Sequence, residues 1–146
     1  MFGASSEKYI KSTITTGSVY YYYEAALNSP KQHNFVVINA DPSKDKLIFL
    51  LCCSSQIENV RNLRSDCPAK TLIEILPYQY SRFTADTIID CNYVFEHTVS
   101  EIARLFAKRK LEERPVMDIR LVQQMRAGVI LSPMVEKQIK KLLEGR

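Results

Sequence analysis

Lys46-Leu47-Ile48-Phe49-Leu50-Leu51-Cys52-Cys53-Ser54 is the stretch on which the fold class turns. Its apolar part, Leu47 to Cys53, falls far short of the roughly 20 residues a membrane span needs. It fits one buried strand. Just upstream, Asp41-Pro42-Ser43-Lys44-Asp45 reads as a turn, because Pro presets the backbone and Asp and Ser bond to it locally. Before the turn, Asn34 to Ile38 is a short apolar strand, so the two strands predict a hairpin with a loop of moderate length. Further upstream, Val19-Tyr20-Tyr21-Tyr22-Tyr23 is rich in strand-favouring aromatics. Asn28-Ser29-Pro30-Lys31-Gln32 then breaks it.

Downstream, Gln56 to Lys70 is polar and reads as a loop with room for one helical turn. Thr71 to Leu76 is a strand closed by Pro77. Thr87 to Ile89 is another, continued or paired by Asn92 to Glu96. Short strands separated by turn signals predict a compact antiparallel barrel or a strongly curled sheet.

The period then changes. Thr98-Val99-Ser100-Glu101 has the form of a capping box, in which Thr98 and Glu101 satisfy each other's orphan backbone donors. Val99, Ile102, Ala103 and Phe106 follow at helical spacing. Glu112 to Pro115 breaks that helix. Asp118 caps a second helix carrying Leu121, Val122 and Met125, with Gly128 as its stop. Ser132-Pro133 starts a third, striped by Val135, Ile139, Leu142 and Leu143. One domain of 146 residues is expected. It divides into a mobile N-terminal segment (1–15), a barrel (16–97) and a helical tail packed on it (98–146).

That length buries a real core without metals or disulfides. Met1 to Lys11 is polar and charged where a signal peptide would be apolar, so a soluble, cytoplasmic chain without a membrane partner is expected. Cys52, Cys53, Cys67 and Cys91 contain no CxxC spacing, so the expectation is buried thiols in a reducing compartment and no metal site. The net charge of +4 is unevenly spread. Residues 1–100 hold 9 Lys and Arg against 10 Asp and Glu, whereas 101–146 hold 11 against 6. The basic tail reads either as solvated helix faces or as a surface for phosphates or an acidic partner.

No phosphate-binding glycine loop, HExxH or GxSxG occurs, which argues against a nucleotide-cofactor enzyme and leaves no cofactor expected. Histidine suits proton transfer near neutral pH. His33 stands at the start of a strand, beside Lys31, where catalytic groups commonly sit; a structural role is the alternative. His97, beside the capping box, reads as structural. Ser54 and Ser55 end the strongest strand and could hold a phosphate or cap a turn. Asp90 ends another strand and could serve as acid, base or orienting group, or bond to neighbouring backbone. The tyrosines at 20–23, 78, 80 and 93 could stack unpaired bases or fill the core.

Thr16-Gly17-Ser18-Val19-Tyr20, His33-Asn34-Phe35-Val36-Val37-Ile38-Asn39, Leu50-Leu51-Cys52-Cys53-Ser54-Ser55 and Thr87-Ile88-Ile89-Asp90-Cys91-Asn92 occur in the order found in the PemK/MazF-like toxins, which this chain resembles from Thr16 to Leu143. The resemblance implies an SH3-like barrel with appended helices, a homodimer, and a metal-independent endoribonuclease on single-stranded RNA held by an acidic antitoxin. It carries the catalytic positions onto His33, Ser54 and Asp90. The family has Arg-Pro where this chain has His33-Asn34, and an acidic residue where it has Ser18. Arginine would clamp phosphate more firmly than histidine, so Lys31, Ser55, Arg61 and Arg64 are the candidates to bind RNA phosphates. A non-catalytic barrel binding a peptide, a protein or RNA is the alternative.

Overall fold

Strand β3 (Ile48–Ser54) sits in the middle of the sheet, as its unbroken apolar run requires: Ile48, Phe49, Leu50, Leu51 and Cys53 are all buried. The computed structural model describes residues 2–144. Around β3 lie β1 (Val19–Tyr22), β2 (His33–Val37), β4 (Leu72–Ile75), β5 (Thr87–Asp90), β6 (Phe95–His97) and β7 (Leu111–Arg114). The order is β4-β5-β3-β2-β1-β7, with β6 paired to the first half of β3. All of these pairings are antiparallel.

Side chains alternate across a strand, so the sheet presents two faces. Both are covered, and each has its own core. On one face Tyr20, Tyr22, Phe35, Val37, Ile48, Leu50 and Phe95 pack under α1 (Phe2–Thr13) and α3 (Val99–Ala107). On the other, Val19, Val36, Phe49, Leu51, Cys53 and Ile89 pack under α4 (Ile119–Leu131) and α5 (Lys137–Glu144). A short helix, α2 (Ile57–Leu63), lies beside β5. The architecture of the described residues is thus a largely antiparallel open sheet with five α-helices, a mixed α/β arrangement. The expected C-terminal helices are present. The sheet also curls: Tyr22 on β1 and His97 on β6 have ring centroids 6.0 Å apart although β2 and β3 lie between their strands.

Several local expectations change. The segment expected to be mobile is helix α1, with Ile10 fully buried and Tyr9 stacked on Phe106 of α3. The tail is not purely helical, because Glu112 to Pro115, read as a helix break, falls mostly within strand β7 (Leu111–Arg114) on β1. Leu111 is buried, Glu112 and Glu113 are exposed and Arg114 is half-buried, and the strand ends the sheet order as an edge. The polar 56–70 stretch forms the two turns of α2. Gly128 does not stop α4, which runs on to Leu131. It is small because a Cβ there would lie 2.8 Å from Cys91 Sγ and 3.1 Å from the Lys70 carbonyl oxygen. Ser132-Pro133 precedes a bend rather than opening α5, which begins at Lys137. The capping box at Thr98 and Glu101 and the Asp118 cap form as read.

Gly17 needs its missing side chain. Its φ is +88°, and a Cβ would sit 2.8 Å from the Met117 carbonyl oxygen. There its N–H donates to the Val37 carbonyl and its carbonyl accepts from Met117 N–H, both at 2.8 Å. Gly17→Ala should therefore lower stability by about 2 kcal/mol through combined strain and crowding. Urea unfolding checks this, and an unchanged midpoint would mean that the Met117 segment yields freely.

Candidate functional site

The register of the ladder decides which predicted residues meet. Phe35 faces Cys52 and Val37 faces Leu50, so continuing two residues sets His33 opposite Ser54. On the other side of β3, Ser54 faces Ile88, which puts Asp90 level with Cys52 on that same face. Directly opposed side chains stand about 5 Å apart at Cβ and diagonal ones about 7 Å. Ser54 is thus flanked by His33 on one side and, diagonally, by Asp90 on the other, on the face covered elsewhere by α1 and α3, while His33 and Asp90 stand two strands apart. His33 and Ser54 are half-buried where that cover ends.

Each makes a contact that constrains its chemistry. His33 Nδ1 lies 3.2 Å from the Lys31 carbonyl oxygen. A carbonyl accepts only, so Nδ1 carries the hydrogen and Nε2 holds the free lone pair. Ser54 Oγ accepts from the Gln56 N–H at 3.0 Å, capping the turn into α2 and leaving its own hydrogen free to donate. Asp90 is heavily committed. One oxygen accepts from Arg64 Nε at 2.8 Å, and the other from the Asn92 N–H and side-chain amide at 2.9 and 3.0 Å. It holds Arg64, which fits the orienting role among those read for it, although Arg64 as its partner was not read from the sequence. Both side chains are more than four-fifths buried.

The proposed phosphate binders divide. Arg64 reaches the site through Asp90, with Nη1 3.5 Å from Met134 Sδ. Arg61 is drawn off by Glu74 and Glu58. Lys31 and Ser55 are exposed near the strand ends. Of the tyrosines, Tyr20, Tyr22 and Tyr80 fill the core, whereas Tyr78 and Tyr93 are exposed. All four cysteines are free thiols, with Cys53 and Cys91 buried and Cys52 and Cys67 partly so. Burial lifts the Cys91 thiol to about 12, with a smaller push from Asp90, so it is not a nucleophile near neutral pH. Among the described residues no group of three His, Cys, Asp or Glu is arranged to hold a metal ion. No helix there is long and apolar enough to cross a membrane.

A second polar cluster escaped the sequence reading. Glu24, just after β1, is buried and accepts from Tyr22 Oη at 3.0 Å and from the Ala26 N–H at 3.1 Å. His97 Nε2 contacts the same carboxylate at 2.5 Å, and its Nδ1 is 3.7 Å from Glu101. Nothing in the sequence links residues 24 and 97. His97 is structural, as read. Its hydrogen bond to Glu24 raises its affinity for a proton more than burial lowers it. Burial alone would raise the Glu24 carboxyl, but hydrogen bonds from His97 and Ala26 together hold it below the usual range.

The pair's pH dependence follows. With His97 raised in the fold, its contribution is complete below the ordinary histidine pKa of about 6.5 and fades as pH rises through the folded value. Glu24, lowered, contributes above the ordinary carboxyl range and fades as pH falls through its folded value. The pair thus stabilises most around pH 5–6. His97→Ala should cost about 2 kcal/mol there by leaving Glu24 buried without its counter-charge. Denaturant titrations should show this loss shrinking towards pH 9.

No family model and no curated protein sequence matches this chain.

Proposed function

We propose that the chain is a toxin-like, metal-independent endoribonuclease that cuts single-stranded RNA at the adjoining ends of β2 and β3. The observation that supports this reading is the register of β2 on β3, whose continuation sets His33 opposite Ser54, with Asp90 and its bound Arg64 on the same face across β3. In this mechanism His33 Nε2 removes the proton of a ribose 2′-hydroxyl. The 2′ oxygen bonds to the adjacent phosphorus, the bond to the 5′ oxygen breaks, and that oxygen takes a proton from water. Ser54 Oγ–H and the guanidinium of Arg64 donate to the crowded phosphoryl oxygens. Arg64 Nη2 has no partner among the described residues and is free for this. Arg64 supplies the fixed charge that the toxin family draws from an arginine at the His33 position.

The same reading includes an SH3-like barrel, which the curl bringing Tyr22 to His97 supports, and a homodimer neutralised by an acidic antitoxin. The test is incubation of pure protein with single-stranded RNA in excess EDTA. Fragments ending in 2′,3′-cyclic phosphate are expected; RNA left intact after prolonged incubation would overturn the assignment. One observation favours a second reading, RNA or peptide binding without turnover: the hydrogen bonds on Asp90 leave His33 as the sole proton-transfer group among the three. Tight RNA binding with no cleavage would select it.

A further inference from the structure

We propose that the outer edge of β4, with the groove beside it, binds an extended apolar peptide segment of a partner protein that carries a carboxylate, by addition of a strand. Among the described residues β4 pairs only with β5, so its other side is a sheet edge. The direction of its backbone groups follows from their contacts. The Thr71 carbonyl accepts from Cys91 beyond the end of β5, whereas the Leu72 N–H turns away to the Ala69 carbonyl. Successive residues of a strand point their backbone groups to opposite sides. Ile73 therefore bonds towards β5, and the N–H and C=O of Glu74 face outward.

The flank of this edge is apolar. A groove of about 820 Å³ lies between β4 and α4, lined by Leu72, Ile73, Ala127, Ile130 and Leu131 together with the charged Lys70 and Glu74. Leu131 is 48% exposed. Protein edges are normally blunted by charges, proline or a bulge. Here the one charge on the strand, Glu74, is neutralised by Arg61. Lys70, at the rim, has no ion-pair partner among the described residues, so it is a cation left to meet an acidic group. An occupant must supply three things together: an extended backbone to pair with Glu74, apolar side chains at alternate positions for the groove, and a carboxylate for Lys70. A peptide strand does so.

The experiment uses the full-length chain and, as probe, a soluble eight-residue peptide alternating valine and threonine with one terminal aspartate. Hydrogen exchange followed by NMR should show the Glu74 amide slowing when the peptide is added. Lys70→Glu, an exposed change that leaves the core alone, should weaken binding about tenfold, the equivalent of one charge contact of roughly 1.4 kcal/mol. Ala127→Trp should block the groove and abolish it. Absence of binding at millimolar peptide, protection away from β4, or equal binding of a peptide with proline at alternate positions would overturn the proposal. So would protection of Glu74 that appears without peptide and grows with protein concentration, since the occupant would then be a second copy of the chain.

Discussion

His33→Ala is expected to slow RNA cleavage about a thousandfold, the middle of the range for losing a general base. The tautomer supplies the reason. With Nδ1–H held by the Lys31 carbonyl, only Nε2 is left to accept a proton, and alanine removes it. His33→Arg separates the two roles open to this side chain. It restores a fixed charge that clamps phosphate but provides no base, so affinity for RNA should hold while cleavage falls as far as in His33→Ala. Binding and single-turnover rates with labelled RNA measure both. Equal rates for wild type and His33→Ala would remove His33 from the mechanism.

Phe35→Ala should destabilise the fold by roughly 4 kcal/mol, within the range for deleting a buried phenyl ring. Phe35 is fully buried, and its ring meets Tyr22 at 4.6 Å and Phe95 at 5.2 Å. It also lies edge-on to His33, 6.5 Å between centroids. The cavity left behind would therefore sit under the candidate base. Phe35→Leu keeps most of the volume and should lose about 1 kcal/mol. Urea titration gives the stability difference, and the histidine ring signals in NMR report whether His33 broadens as its support goes. Losses of equal size for Ala and Leu would contradict this packing.

The parts of the fold that could be read in the sequence are those fixed by neighbours along the chain. The apolar run of β3, the turn before it, the Thr98–Glu101 capping box and the Asp118 cap each depend on residues a few positions apart. What could not be read depends on distant partners. Leu111–Arg114 has one apolar residue in four, and only the open side of β1 makes it a strand. Helix α1 is mostly polar, and its burial rests on Ile10 and Ile14 meeting a core assembled from later strands. Gly128 looked like a terminator because its reason, the approach of Cys91 and Lys70, lies 37 and 58 positions away. The candidate site divides in the same way. His33 and Ser54 could be named as strand ends, but the Asp90–Arg64 contact and the burial of Glu24 against His97 belong to the folded chain alone.

The seam between β1 and β7 joins residues 19–22 to residues 111–114. Until position 114 is available, β1 has a bare side, and the first hundred residues amount to an unfinished sheet. A chain cut before Leu111 would carry that bare side permanently and be prone to sticking to its own copies. The last third of the polypeptide is thus a closing stitch for the first, and fragments ending within it are poor stand-ins for the whole.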